Sequence, residues 1–142
     1  MTLSHERTTQ LLSETRLFAS VDAGGLARIA DRVTELEVPA ERVIARQGEF
    51  GTGFFIIVSG MVRVVRDGET LAELGPGDFF GELSVLDGKP RNAQVISTQP
   101  TTCLALATWE FEAVVNEQPS VALAILRELA GRLRELTDAH RH

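Results

Sequence analysis

The sequence predicts an α+β fold: a small antiparallel β-barrel flanked by N-terminal helices and followed by a long C-terminal helix. Three observations carry this reading. Apolar residues recur at helical spacing up to about residue 33. From 34 to 107 that period gives way to short β-branched or aromatic runs, each closed by Gly, Pro or Asp-Gly. From 108 to 138 the helical period returns. With 142 residues, 44% hydrophobic and 24% charged, the chain suits one domain, 1–142, around a single core.

In the first part, Ser4 can cap a helix whose stripe is Leu11, Leu12, Thr15 and Phe18. Ser20-Val21-Asp22 and Gly24-Gly25 interrupt it, and a second helix is expected from about Gly25 to Val33, carrying Leu26, Ile29 and Ala30. The strand runs are Leu36–Val38, Val43–Ile44, Phe54–Val58, Met61–Val65, Leu71–Leu74, Ala93–Ile96 and Thr102–Leu106. Asp67-Gly68 between two of them is a hairpin signal. Many short strands with frequent turn signals give an antiparallel sandwich or barrel. Thr108 then suits the N-cap of a helix over 109–116, and Trp109 is expected in the core between helix and barrel. Pro119 suits the opening of the last helix. Ala122, Leu126, Leu129, Leu133 and Leu136 form a heptad-type stripe along it, which fits either a partner helix, making a homodimer through 122–136, or the chain's own barrel.

Composition excludes several functions. A net charge of −6 argues against a nucleic-acid backbone as a direct partner of this chain alone. One cysteine, Cys103, within an apolar run, reads as a buried inert thiol, so no internal disulfide or cysteine metal cluster is expected. No apolar stretch approaches ~20 residues, so no membrane span is expected. The polar first ten residues lack an apolar signal core, and a cytoplasmic location is expected. His5, His140 and His142 lie at the termini, leaving no histidine base in the barrel; no enzyme activity, metal or cofactor is expected.

The most informative segment is 80–95, which reads Phe-Gly-Glu-Leu-Ser-Val-Leu-Asp-Gly-Lys-Pro-Arg-Asn-Ala-Gln-Val. It sets the carboxylate of Glu82 nine residues before the guanidinium of Arg91, with Gly81 ahead of the first and Pro90 ahead of the second. A phosphate that also carries a sugar hydroxyl calls for backbone N–H donors at an open helical turn, a fixed cationic fork and a carboxylate acceptor. The plainer reading is a structural Glu82–Arg91 ion pair closing a turn. Ser84 could likewise only cap local backbone, and Gly75, Gly77 and Gly88 read as turn devices.

Phe80-Gly81-Glu82-Leu83-Ser84 together with Pro90-Arg91-Asn92-Ala93 resembles the phosphate-binding cassette of cyclic nucleotide-binding domains. Such domains occur in bacterial catabolite-activator (Crp/Fnr-type) regulators, kinase regulatory subunits and cyclic-nucleotide-gated channels. Gly48-Glu49, Phe55-Ile56, Ser59-Gly60 and Gly75-Pro76-Gly77-Asp78-Phe79 support the match, which covers roughly residues 15–137. The resemblance implies a jelly-roll barrel and a C-terminal lid helix. It implies that backbone N–H groups near Gly81, Leu83 and Ser84 face the phosphate, that Glu82 takes the ribose 2′-hydroxyl and that Arg91 pairs with the exocyclic oxygens, with Asn92 beside it. Val64 and Leu71 would pack on the base, and Arg132, Leu136 and Thr137 would meet it from the lid, Thr137 as the better polar candidate. Many cGMP-selective members carry Thr where this chain has Asn92, so cAMP is the expected ligand and cGMP the second. Two further readings are a Crp/Fnr-type sensor half lacking its DNA-binding part and an interaction module with no ligand. The downstream effector is not legible.

Overall fold

The computed structural model describes residues 3–48, 53–81 and 91–139. Its elements are α1 (His5–Ser13), α2 (Ala23–Arg32), β1 (Thr34–Val38), β2 (Val43–Ala45), β3 (Gly53–Ser59), β4 (Val62–Arg66), β5 (Glu69–Leu74), β6 (Phe79–Phe80), β7 (Gln94–Ser97), β8 (Thr101–Ala107), α3 (Thr108–Glu117) and α4 (Pro119–Ala139).

Local chemistry fixes the ends of the helices. The Ser4 hydroxyl accepts from Arg7 N at 3.0 Å and opens α1. The Asp22 carboxylate accepts from Gly25 N at 2.7 Å, so α2 starts at Ala23 and takes Gly24 and Gly25 inside it, earlier than the glycine pair suggested. Thr108 is not a cap. Ala107 still pairs with Gly53 at the end of β8 and is itself the N-cap in extended conformation, leaving Thr108 as the first helical residue. Asp67 and Gly68 both have positive φ, at 52° and 81°, the geometry of a tight two-residue hairpin between β4 and β5.

The strands form two four-stranded antiparallel sheets rather than one closed barrel. Their orders are β1-β8-β3-β6 and β2-β7-β4-β5. This is the double-sheet form of a jelly roll. The first sheet is covered on both faces. Phe54 and Ile56 of β3, with Leu104 and Leu106 of β8, pack outward against Leu12, Ile29, Phe111, Val121 and Ile125 of the helices and Phe18 of the turn between α1 and α2. Ile57 and Cys103 turn inward and pack with Val62, Val95 and Phe80 between the sheets. Two buried faces explain why β3 reads as a continuous apolar run and not as an alternation.

The two-residue strand β6 has no sequence period and was not expected. Phe79 joins the cluster under the helices and Phe80 the cluster between the sheets. The helical layer is tied together by Arg32, whose guanidinium bonds to Glu110 at 2.9 Å and to Glu117, both on α3. Those two carboxylates, Glu110 first, raise the Arg32 pKa further.

Two further sequence readings change on the structure. Trp109 is 69% exposed on the outside of α3, because Phe111 and Val114 take the buried face of that helix. The leucine stripe is split. Val121 and Ile125 are the buried residues of α4, Leu129 packs partly on the chain's own core, and Leu126, Leu133 and Leu136 are more than 60% exposed.

Cys103 is fully buried, and desolvation pushes its thiol up to about 11 from an ordinary value of 9.0. The folded chain therefore holds this proton more tightly than the unfolded chain, and stability is expected to fall as pH rises from about 9 through 11. A disulfide reagent at pH 8 should label Cys103 only when denaturant unfolds the chain. Rapid labelling of the native protein would contradict this burial.

Candidate functional site

One apolar-walled cavity of about 390 Å³ lies between the second sheet, β6 and α4. Its size falls in the range of small-molecule sites. Val64 of β4 and Leu71, Ala72 and Leu74 of β5 form one wall, with Val95 beside them; Phe79, Phe80 and Gly81 form another. Arg91, Asn92 and Ala93 close one end, and Arg132 and Glu135 reach it from α4.

Gly81 is required by its surroundings. Its φ is +93°, and a Cβ there would sit 2.6 Å from Gly53 O and 3.2 Å from Arg91 Nη1. β6 can thus run into the corner beside β3 only as glycine. The same carbonyl anchors the arginine: Arg91 Nη2 donates to Gly53 O at 3.2 Å. The guanidinium stands over the Phe55 ring at 5.8 Å, and that ring stacks on Phe80 at 4.9 Å. Arg91 O accepts from Gly48 N at 2.8 Å, which fixes the backbone as well. A planar cation held by a carbonyl and an aromatic face is thus part of the cavity lining.

At the other end Arg132 lies over Phe79 at 4.8 Å, and Phe79 in turn packs on Phe54 and, through it, on Phe111. Among the described lining residues, two are cationic and one, Glu135, is acidic. The cavity therefore favours an anion with a large apolar body.

Of the residues singled out in the sequence, Gly81, Arg91, Asn92, Val64, Leu71 and Arg132 line this one cavity. Glu82, Leu83 and Ser84 lie outside the described residues. Leu136 and Thr137 are exposed and not among the described lining. The helical rise carries Leu136 about 6 Å past Arg132, and Thr137 is rotated about 140° away from it. The Thr137 hydroxyl donates to Leu133 O at 2.9 Å, within its own helix. The polar groups that α4 brings to the cavity are Arg132 and Glu135. Glu135 was missed because it sits among charged residues that read as a solvated face; its spacing of three from Arg132 is the signal that could have found it.

The family model of the cyclic nucleotide-binding domain matches residues 35–118, more than half of the chain. The chain belongs to the cyclic nucleotide-binding domain family. It is 34% identical over 119 residues to a cyclic nucleotide-gated potassium channel of Rhizobium etli, covering 84% of this chain and 33% of the channel. It is 38% identical over 102 residues to the cyclic AMP receptor protein of Thermus thermophilus, covering 68% of this chain and 47% of that protein. Among solved structures, the Thermus thermophilus catabolite activator protein superposes with a TM-score of 0.80 at 33% identity, covering 87% of this chain and 60% of the activator. The chain thus spans about a third to a half of the length of these curated relatives. The match confirms the α+β jelly-roll reading.

Gly81→Ala should lower stability by roughly 1–3 kcal/mol in denaturant unfolding, because both the φ and the contact with Gly53 O are violated. An alanine variant of unchanged stability would show that this corner is loose.

Proposed function

We propose that this chain is a regulatory domain that binds cAMP and passes occupancy on through α4. The observation that carries the reading is the placement of Arg91. Its guanidinium is held by Gly53 O and the Phe55 face at one end of an apolar cavity, beside the positive-φ Gly81. A fork in that place pairs with a cyclic phosphate, and in this reading Glu82 and the backbone N–H groups of Leu83 and Ser84 complete the set. Val64 and Leu71 form the apolar bed for the purine; Leu71, 53% exposed at the rim, is a large side chain that a base would cover. Arg132 and Glu135 offer one donor and one acceptor to the base edge. Asn92, in place of a threonine, supports cAMP over cGMP, and the cyclic AMP receptor relative supports the same ligand.

The cyclic AMP receptor relative supports binding, rather than catalysis, as the role of this domain. No helix among the described residues is long and apolar enough to cross a membrane. The exposed leucines of α4 support a homodimer built from a second copy of this helix. Ligand acts by population shift: α4 lines the cavity through Arg132, so a nucleotide in contact with that side chain favours the lid positions that provide it.

In calorimetric titration the wild-type chain should bind cAMP more tightly than cGMP. Arg91→Ala should cost about 2–5 kcal/mol of that affinity with little change in fold. Unfolding of Arg91→Ala with affinity retained in the remaining native fraction would mark the arginine as structural. Leu133→Glu should convert a dimer to a monomer in analytical ultracentrifugation, whereas Leu129 is unsuitable as a probe because it packs on its own core. A Leu133→Glu dimer of unchanged strength would refute that interface.

A further inference from the structure

Arg16 follows α1 and lies outside the nucleotide cavity, yet it meets two elements that border it. Its Nη2 is 3.3 Å from Asp78 Oδ1, and its Nη1 is 3.3 Å from Glu128 Oε1. Asp78 is held in place by its own turn: Oδ2 accepts from Gly75 N at 2.9 Å, its N–H donates to Gly75 O, and its carbonyl accepts from Ile57 N. The next three residues are Phe79, Phe80 and Gly81, the strand and corner that build the candidate site. Glu128 is on α4, one turn before Arg132, and its side chain is only 21% exposed.

We propose that Arg16 is a positioning residue that clamps α4 to the strand entering the nucleotide site. One guanidinium bridges a rigid turn carboxylate and a lid-helix carboxylate, so α4 cannot leave the cavity without separating Glu128 from Arg16. The clamp holds Arg132 and Glu135 at the cavity from a distance. The Arg16 side chain is 70% exposed, so the clamp is weak and salt-sensitive. The clamp itself stands on geometry; its effect on affinity rests on the cAMP reading above.

The test compares the full wild-type chain with Arg16→Gln, Glu128→Gln and the double variant. Hydrogen exchange without nucleotide should quicken about three- to tenfold in the amides of 125–136 in either single variant. The double variant should show no more than the larger single effect, and the difference should vanish near ~1 M NaCl. Affinity for cAMP should fall by a similar factor in the single variants. Unchanged α4 exchange in Arg16→Gln, additive effects in the double variant, or equal quickening throughout the sheets would overturn the clamp. If wild type binds no cAMP, the functional reading fails while the exchange data still decide the clamp. If α4 exchange quickens but cAMP affinity is unchanged, the link between clamp and site is overturned.

Discussion

The structure turns on one backbone carbonyl. Gly53 O, at the start of β3, receives the Arg91 guanidinium and leaves so little room that only glycine fits at position 81. Gly53 thus meets two residues of the 80–95 segment at one point. A larger residue at Gly81 would push β6 off β3, where Phe55 pairs with Phe80 and Ile56 with Phe79. It would also push Arg91 off the Phe55 ring. The close approach is what lets a charged fork sit at the end of an otherwise apolar cavity without being buried unpaired.

The short strand β6 links that corner to the rest of the molecule. Because side chains alternate along a strand, adjacent residues face opposite ways. Phe80 supports the Phe55 ring on which Arg91 rests, and Phe79 supports Arg132 of α4 and the Phe54–Phe111 cluster beneath the helices. A shift of β6 by an ångström would therefore disturb both the Arg91 end of the cavity and the seat of α4. Packed aromatic contacts do not deform smoothly, so such a shift repacks them. Named contacts thus run from Arg91 through Phe55, Phe80 and Phe79 to Arg132 of α4. A clamp at Asp78, the residue just before β6, acts on the same element.

Much of this was legible in the sequence. The helix starts at Ser4 and Pro119, the hairpin at Asp67-Gly68 and seven of the eight described strands follow from capping, turn chemistry and β-branched runs. Six site residues converge because the cassette pattern and strand positions were read together. What could not be read has identifiable causes. β6 is two residues long and buried on both sides, so it has no period to detect. Trp109 looked like core because aromatic residues usually are, yet Phe111 and Val114 outcompete it for the inner face of α3. Leu129 and Leu133 share one heptad stripe but different surroundings: Leu129 packs on the chain's own core and Leu133 is exposed. Thr137 against Glu135 depends on the rotation of α4, which spacing alone does not supply.

The central claim is that the corner of Gly53, Gly81 and Arg91 receives a cyclic phosphate. The most direct measurement is heteronuclear NMR of the isotope-labelled chain during addition of cAMP, following the Gly81 amide and the Arg91 Nε–H together. The account predicts that both move saturably with one dissociation constant, and that the Arg132 signal moves with them. Saturable binding that shifts resonances elsewhere while Gly81 and Arg91 stay still would contradict it, as would a folded chain in which no resonance moves at all.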